Sequence, residues 1–172
     1  MPVSLESPVF LEIKRKTGNI VTKRRVLITH AQVLEYIEHR AKPPNVDYMT
    51  RQIMSEFDTL TMRYKFSAKQ YISYKRLAFV DSDDFRLTFD RQILGDRHNL
   101  SFETAHADTS TEIIGNDLRV MEVKVDHAFP KWLTDIITEL GIFRDGISKY
   151  GKAYEEYIRG KITEKRGIFV NV

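Results

Sequence analysis

The chain contains no cysteine. That absence excludes disulfides, thiolate metal centres and a cysteine nucleophile, removes thiol redox chemistry, and agrees with a cytoplasmic protein. No apolar run approaches the ~20 residues needed to cross a bilayer, and the opening residues lack the basic start, apolar stretch and cleavage site of a secretory leader. A soluble chain with no transmembrane segment is therefore expected. Charge of one sign is barely in excess: 27 Lys and Arg stand against 24 Asp and Glu, a formal +3 that by itself predicts no polyanion partner. Internal repeats and low-complexity linkers are missing too. What is present is 172 residues, 42% of them hydrophobic, enough for a single domain spanning 1–172 and too little for two comfortable ones.

The runs PVFLEIKRK (Pro8 to Lys16) and NIVTKRRVLI (Asn19 to Ile28) flank Thr17-Gly18 and read as a β-hairpin. Thr29 has the chemistry of a helix N-cap; HAQVLEYIEHR places Val33, Leu34 and Ile37 on one stripe, and Pro43-Pro44 ends the helix. A second helix is predicted from Asp47 to about Tyr64, where Met49, Ile53, Phe57, Leu60 and Tyr64 recur at three- and four-residue steps. KQYISYKRLAFV and FRLTFDRQIL, separated by Asp81-Ser82-Asp83-Asp84, form a second hairpin. Asn99 to Glu103 is expected as a short edge strand, a polar loop follows, and LRVMEVKVD (Leu118 to Asp126) reads as a strand. Pro130 opens a helix that Gly141 closes, and a last helix starts at Ser148, read as its N-cap rather than a nucleophile because no base partner is evident. The fold class is α+β with antiparallel strands.

Side chains alternate along a strand, so each strand has two faces that can be read separately. Val9, Leu11 and Ile13, then Leu77 and Phe79, then Phe85, Leu87 and Phe89, then Met121, Val123 and Val125 occupy apolar faces. The polar faces carry Glu12, Lys14 and Lys16; Lys23 and Arg25; Tyr74 and Arg76; Arg86, Thr88 and Asp90; and Glu122 and Lys124. Two explanations compete. The charged faces are the solvated side of a sheet whose apolar side is covered by helices, in which case mixed charge is expected. Alternatively the sheet curls into a tunnel or barrel, complete or incomplete, with a basic interior and helices packed outside. The bias favours the second: Lys14, Lys16, Lys23, Arg25, Arg76, Arg86 and Lys124 outnumber Glu12, Asp90 and Glu122. Converging cations need an anionic guest, because buried unpaired charge costs several kcal/mol. Phosphate chains suit arginine forks and compact lysine charges. Glu122, set among cations, then suits a ligand for Mg²⁺ or Mn²⁺ that bridges carboxylate and phosphate oxygens, unless it merely pairs with Lys124 or Arg86.

The ordered motifs VFLEIKRK, VTKRR, YKRLAF, FRLTFDRQI, VMEVKVD, PKWL and SKYGKAY resemble the VTC domain, the polyphosphate polymerase domain of the CYTH-like, triphosphate-tunnel superfamily. The resemblance covers nearly all of this chain. It implies an antiparallel β tunnel wrapped by helices that extends polyphosphate from a nucleoside triphosphate with Mn²⁺ or Mg²⁺. Matched motif by motif, Lys14, Arg76 and Arg86 are the expected catalytic cations. Lys16, Lys23, Arg25, Lys124 and Lys149 are expected to bind phosphate, and Glu122 and Glu12 to bind metal. The resemblance also implies further tunnel strands before the LEIKRK strand. The opening MPVSLESP contains none of them, so the chain is expected to correspond to roughly the C-terminal two thirds of the family domain, as a fragment, a wrongly assigned start or a protein completed by a second chain; exposed sheet edges would favour a homo-oligomer or such a completing chain. Other partners implied are polyphosphate or nucleoside triphosphate.

Alternatives in other classes are a tripolyphosphate or nucleotide phosphohydrolase, a non-catalytic polyphosphate-binding module, and a nucleic-acid binder stacking bases on Tyr71, Tyr74 and Phe89. The last conflicts with the placement of Phe89 on an apolar face and with the lack of an RNP-like pattern, so no nucleic-acid partner is expected. His30, His39, His98, His106 and His127 have no metal-like spacing and are expected at the surface or at helix caps. Trp132 is expected as a core anchor, and Tyr150, Tyr154 and Tyr157 as packing residues.

Overall fold

The first hairpin forms as its alternation requires: β1 (Pro8–Thr17) pairs antiparallel with β2 (Ile20–Thr29) in a register that sets Leu11 opposite Val26 and Lys14 opposite Lys23. The computed structural model describes residues 4–18, 20–81, 85–102 and 110–168, with side chains described as far as residue 159. The chain divides into two compact units, one comprising Met1–Ala68 with Ser101–Ala105, the other Lys69–Leu100 with His106–Val172.

In the first unit, Thr29 caps α1 (His30–His39) through a capping box with Gln32, and Asp47 caps α2 (Tyr48–Tyr64) by accepting from the Thr50 N–H at 2.8 Å. The hairpin face carrying Val9, Leu11 and Ile13 meets Val26, Ile28, Val33, Tyr36, Ile53, Met54 and Phe57 in one apolar cluster. The buried stripe of α1 differs from the expected one. Leu34 and Ile37 are exposed, whereas His30, Val33 and Tyr36 face inward. The reason is polar: the Tyr36 hydroxyl lies 2.9 Å from the Met54 carbonyl oxygen and 2.6 Å from Asp58 Oδ1, contacts that anchor α1 to α2. Burial, then the hydrogen bond to Asp58 and its negative charge, push the Tyr36 hydroxyl well above its ordinary pKa. His30 also departs from expectation, being buried with its ring edge-on to Phe102 at 5.8 Å.

The second unit is built on β4 (Arg86–Asp96). Along one side of β4 runs β3 (Tyr71–Val80); β6 (Val120–Lys124) pairs with the Arg86–Asp90 half of β4, and β5 (Thr111–Ile114) with the half around Ile93. β5 was expected as loop. No strand forms over residues 99–102, and Glu103 lies outside the described residues. Two helices follow, α3 (Lys131–Glu139) and α4 (Lys149–Ile168), the second capped by Ser148 Oγ, which accepts from the Gly151 N–H at 3.1 Å. Leu133 is the buried residue of α3; Trp132 is half-exposed, with its ring edge-on to Phe85 at 5.6 Å, and so is not a core anchor.

A β-bulge shapes this unit. Between the pairs Arg76↔Asp90 and Ser73↔Leu94 the register shifts, and Gln92 adopts φ 49°, the left-handed region. The extra residue breaks the alternation, so Thr88 and Asp90 on one side of the bulge and Ile93 and Gly95 on the other are all buried. Ile93 packs with Ile113, Ile114 and Ala153 of α4. The fold is thus α+β with two antiparallel sheets, neither of which closes into a barrel among the described residues.

Candidate functional site

The ladder registers test the face assignments directly. In the second unit Arg76 stands opposite Asp90, Thr88 opposite Glu122, and Arg86 opposite Lys124, so these residues share one face of the β3–β4–β6 sheet. Leu77, Phe89 and Met121 lie on the other face.

Asp90 is the centre of the cluster. Its side chain is 1% exposed and receives Arg76 Nε on Oδ1 at 2.6 Å, Arg76 Nη2 on Oδ2 at 2.7 Å, and Lys149 Nζ on Oδ2 at 2.7 Å. Lys149 arrives from the first turn of α4, where a cation opposes the helix dipole; the Asp90 carboxylate offsets that cost. The Tyr74 ring lies beneath both cations, 5.1 Å from the Arg76 guanidinium carbon and 4.7 Å from Lys149 Nζ. Arg76 Nη2 is also 3.9 Å from Glu122 Oε2, and Glu122 Oε1 is 3.0 Å from Lys124 Nζ.

These contacts set the ionisation states. The Arg76 hydrogen bonds hold the Asp90 carboxyl below the usual range against the opposing effect of its burial, and the same bonds raise the Arg76 guanidinium. Burial would raise Glu122, but the hydrogen bond from Lys124 and the charges of Lys124, Arg76 and Lys149 outweigh it and leave Glu122 lowered. A carboxyl whose folded pKa is depressed adds stability that is present above its unfolded pKa, about 4, and is lost as pH falls through the folded value. The urea midpoint is therefore expected to fall off below about pH 4, and to fall less steeply in Asp90→Asn. Equal acid sensitivity in the two proteins would show that Asp90 is not the responsible group.

Arg86 and Lys124 have a different character. They are exposed like charges placed directly across a ladder, an arrangement that destabilises a sheet unless anions offset it, and Glu122 does so in part through its contact with Lys124. The first unit repeats the motif: Lys14 faces Lys23, with Lys16 and Arg25 on the same exposed face and the Arg25 guanidinium 4.3 Å from the Phe10 ring centroid. Glu12 belongs to this unit, 3.8 Å from Lys23. Lys14→Gln is expected to raise the stability of the protein by about 0.2–1 kcal/mol, readable in urea melts, because it removes a like-charge pair; a decrease would mean that Lys14 has a stabilising partner.

A family model, the VTC domain, matches residues 2–158. The chain belongs to the VTC domain family. No curated protein matches it. Membership gives this VTC domain a polyphosphate-related role at the level of the family. Of the residues expected from the motifs, Arg76, Arg86, Glu122, Lys124 and Lys149 belong to the second unit, the first four on one sheet face and Lys149 joined to that face through Asp90. Lys14, Lys16, Lys23, Arg25 and Glu12 share one face of the first unit's hairpin. Among the described residues no group of three or more His, Cys, Asp or Glu side chains is placed to hold a metal, and no helix is long and apolar enough to cross a membrane. Toward a hard divalent cation the site offers one half-exposed carboxylate, Glu122, with Oε1 on Lys124 and Oε2 near Arg76; such an ion would need phosphate oxygens and water to supply its remaining ligands. Tyr74 was visible as a face residue, and Asp90 as a minority charge. What no pattern within a strand could reveal is that Asp90 joins Arg76 to a helix far along the chain.

Proposed function

We propose that this VTC domain binds a phosphate chain over the basic face of the β3–β4–β6 sheet and transfers the terminal phosphoryl group of a nucleoside triphosphate to it. The observation that carries the reading is Arg86 directly opposite Lys124 on the face where Arg76 and Lys149 converge on one buried carboxylate. Four cations within one sheet face and one helix turn exceed what Asp90 and Glu122 neutralise, and a multivalent anion completes the balance.

In the transfer, a terminal oxygen of the acceptor chain forms a bond to the γ-phosphorus while the bond to the bridging β–γ oxygen breaks, and the leaving nucleoside diphosphate carries away the electron pair. Such reactions depend on alignment and neutralisation of charge. Arg76 offers the guanidinium edge not used by Asp90, Lys149 its remaining ammonium protons, and Arg86 and Lys124 the attraction that holds the chain along the strand. Glu122, ionised and at the edge of the cluster, would hold Mg²⁺ or Mn²⁺. When bound, that ion would supply further neutralisation of the phosphate oxygens.

The test is calorimetric titration with tripolyphosphate, with and without Mn²⁺, at two salt concentrations, followed by chromatography of products from ATP. Saturable binding weakened by salt and by Arg86→Ala, with chains longer than the acceptor, is expected. Release of orthophosphate without elongation would replace polymerase by hydrolase chemistry, and unchanged affinity in Arg86→Ala would sink the site.

A further inference from the structure

The charge of Asp90 is wrong for a site that attracts polyanions, and its burial is complete, so it cannot act by touching a guest. We propose that Asp90 is a positioning residue, locking Arg76 of the sheet and Lys149 of α4 into one rigid donor array; this rests on the reading of the sheet face as a phosphate site. Its two oxygens are fully committed. Oδ1 takes Arg76 Nε, and Oδ2 takes both Arg76 Nη2 and Lys149 Nζ, each at 2.6–2.7 Å.

Two hydrogen bonds along the Nε–Nη2 edge restrain the guanidinium against rotation and sliding and so aim its remaining N–H groups. The ammonium of Lys149, on a flexible stem, is fixed by the same oxygen. Two cations that would repel each other are thereby held close, with the Tyr74 ring beneath them, before any guest arrives. Alignment secured in advance leaves less ordering to be done when the chain binds.

Simple attraction and positioning predict opposite signs, which makes the idea testable. Asp90→Asn removes one negative charge from the cluster. If Asp90 were only a counter-ion, tripolyphosphate would bind more tightly to Asp90→Asn. Positioning instead predicts binding weaker by roughly tenfold to a hundredfold, together with a salt dependence at least as steep as before, since the cations remain. Asp90→Glu, which keeps the charge but displaces the carboxylate by a methylene, is expected to weaken binding too. Circular dichroism in the near ultraviolet shows whether these variants fold.

A second measurement uses the unaltered protein. The Arg76 Nε–H resonance, identified by its loss in Arg76→Lys, is expected to exchange slowly with solvent and to keep its position when tripolyphosphate saturates the protein, because that edge stays on Asp90. A large shift of that resonance on saturation would overturn the inference, as would equal or tighter binding by folded Asp90→Asn, in either case with the phosphate site intact. Absence of tripolyphosphate binding to the unaltered protein would instead remove the phosphate reading, and the inference with it.

Discussion

Arg76→Ala is expected to lose about 3 kcal/mol of stability, because it strips two hydrogen bonds from a carboxylate that has no access to water. An exposed arginine elsewhere on the chain would cost no more than about 0.5 kcal/mol. Lys149 still pairs with Asp90 and limits the damage. Combining Arg76→Ala with Asp90→Asn should recover much of the stability, since removing both partners of a buried pair is far less costly than removing one. Tripolyphosphate binding should remain lost in the double variant. Urea unfolding and calorimetry on the single and double variants check both halves. Loss of stability confined to the surface range would mean that the pair is not formed in solution, and recovery of binding in the double variant would remove Arg76 from the site.

Ile93→Ala is expected to cost about 2–5 kcal/mol, the usual range for truncating a fully buried aliphatic side chain. The effect should extend to function. Ile93 packs against Ala153 of α4, and Ala153 lies one helical turn beyond Lys149 on the same side of that helix. Loosening this contact should reduce tripolyphosphate affinity even though Ile93 is apolar. Leu77→Ala, on the half-exposed opposite face, should cost under about 1 kcal/mol and leave affinity unchanged. Thermal melts with titrations on the two variants distinguish them; equal costs would mean that the apolar sheet face, rather than the side beneath α4, forms the core of this unit.

This contrast marks where sequence reading succeeded and where it stopped. Alternation along single strands correctly grouped Arg76, Arg86, Thr88, Asp90, Glu122 and Lys124 on one face, because side-chain parity is a local property of extended backbone. Parity says nothing about which face a helix will cover. Leu77 and Phe79 looked like core and are half-exposed, while Thr88 and Asp90 are buried. The bulge at Gln92 had no glycine to announce it, so the placement of Ile93 on the buried side was hidden. The four residues of β5 were too few to stand out from the surrounding loop. The stripe on α1 was misjudged because Tyr36 is buried by its hydroxyl's partners on α2, which only the tertiary structure supplies.

The bulge makes β4 a segment with two reading frames joined at one point. Point substitutions leave both frames in step, so the charged half and the apolar half of the strand can diversify independently. Loss or gain of a single residue near Gln92 would turn one half over relative to the other. Asp90 would then face away from Lys149, or Ile93 away from Ala153. The length of this strand is therefore more tightly constrained than its composition, and a shift by one position would break one of the two contacts that seat α4.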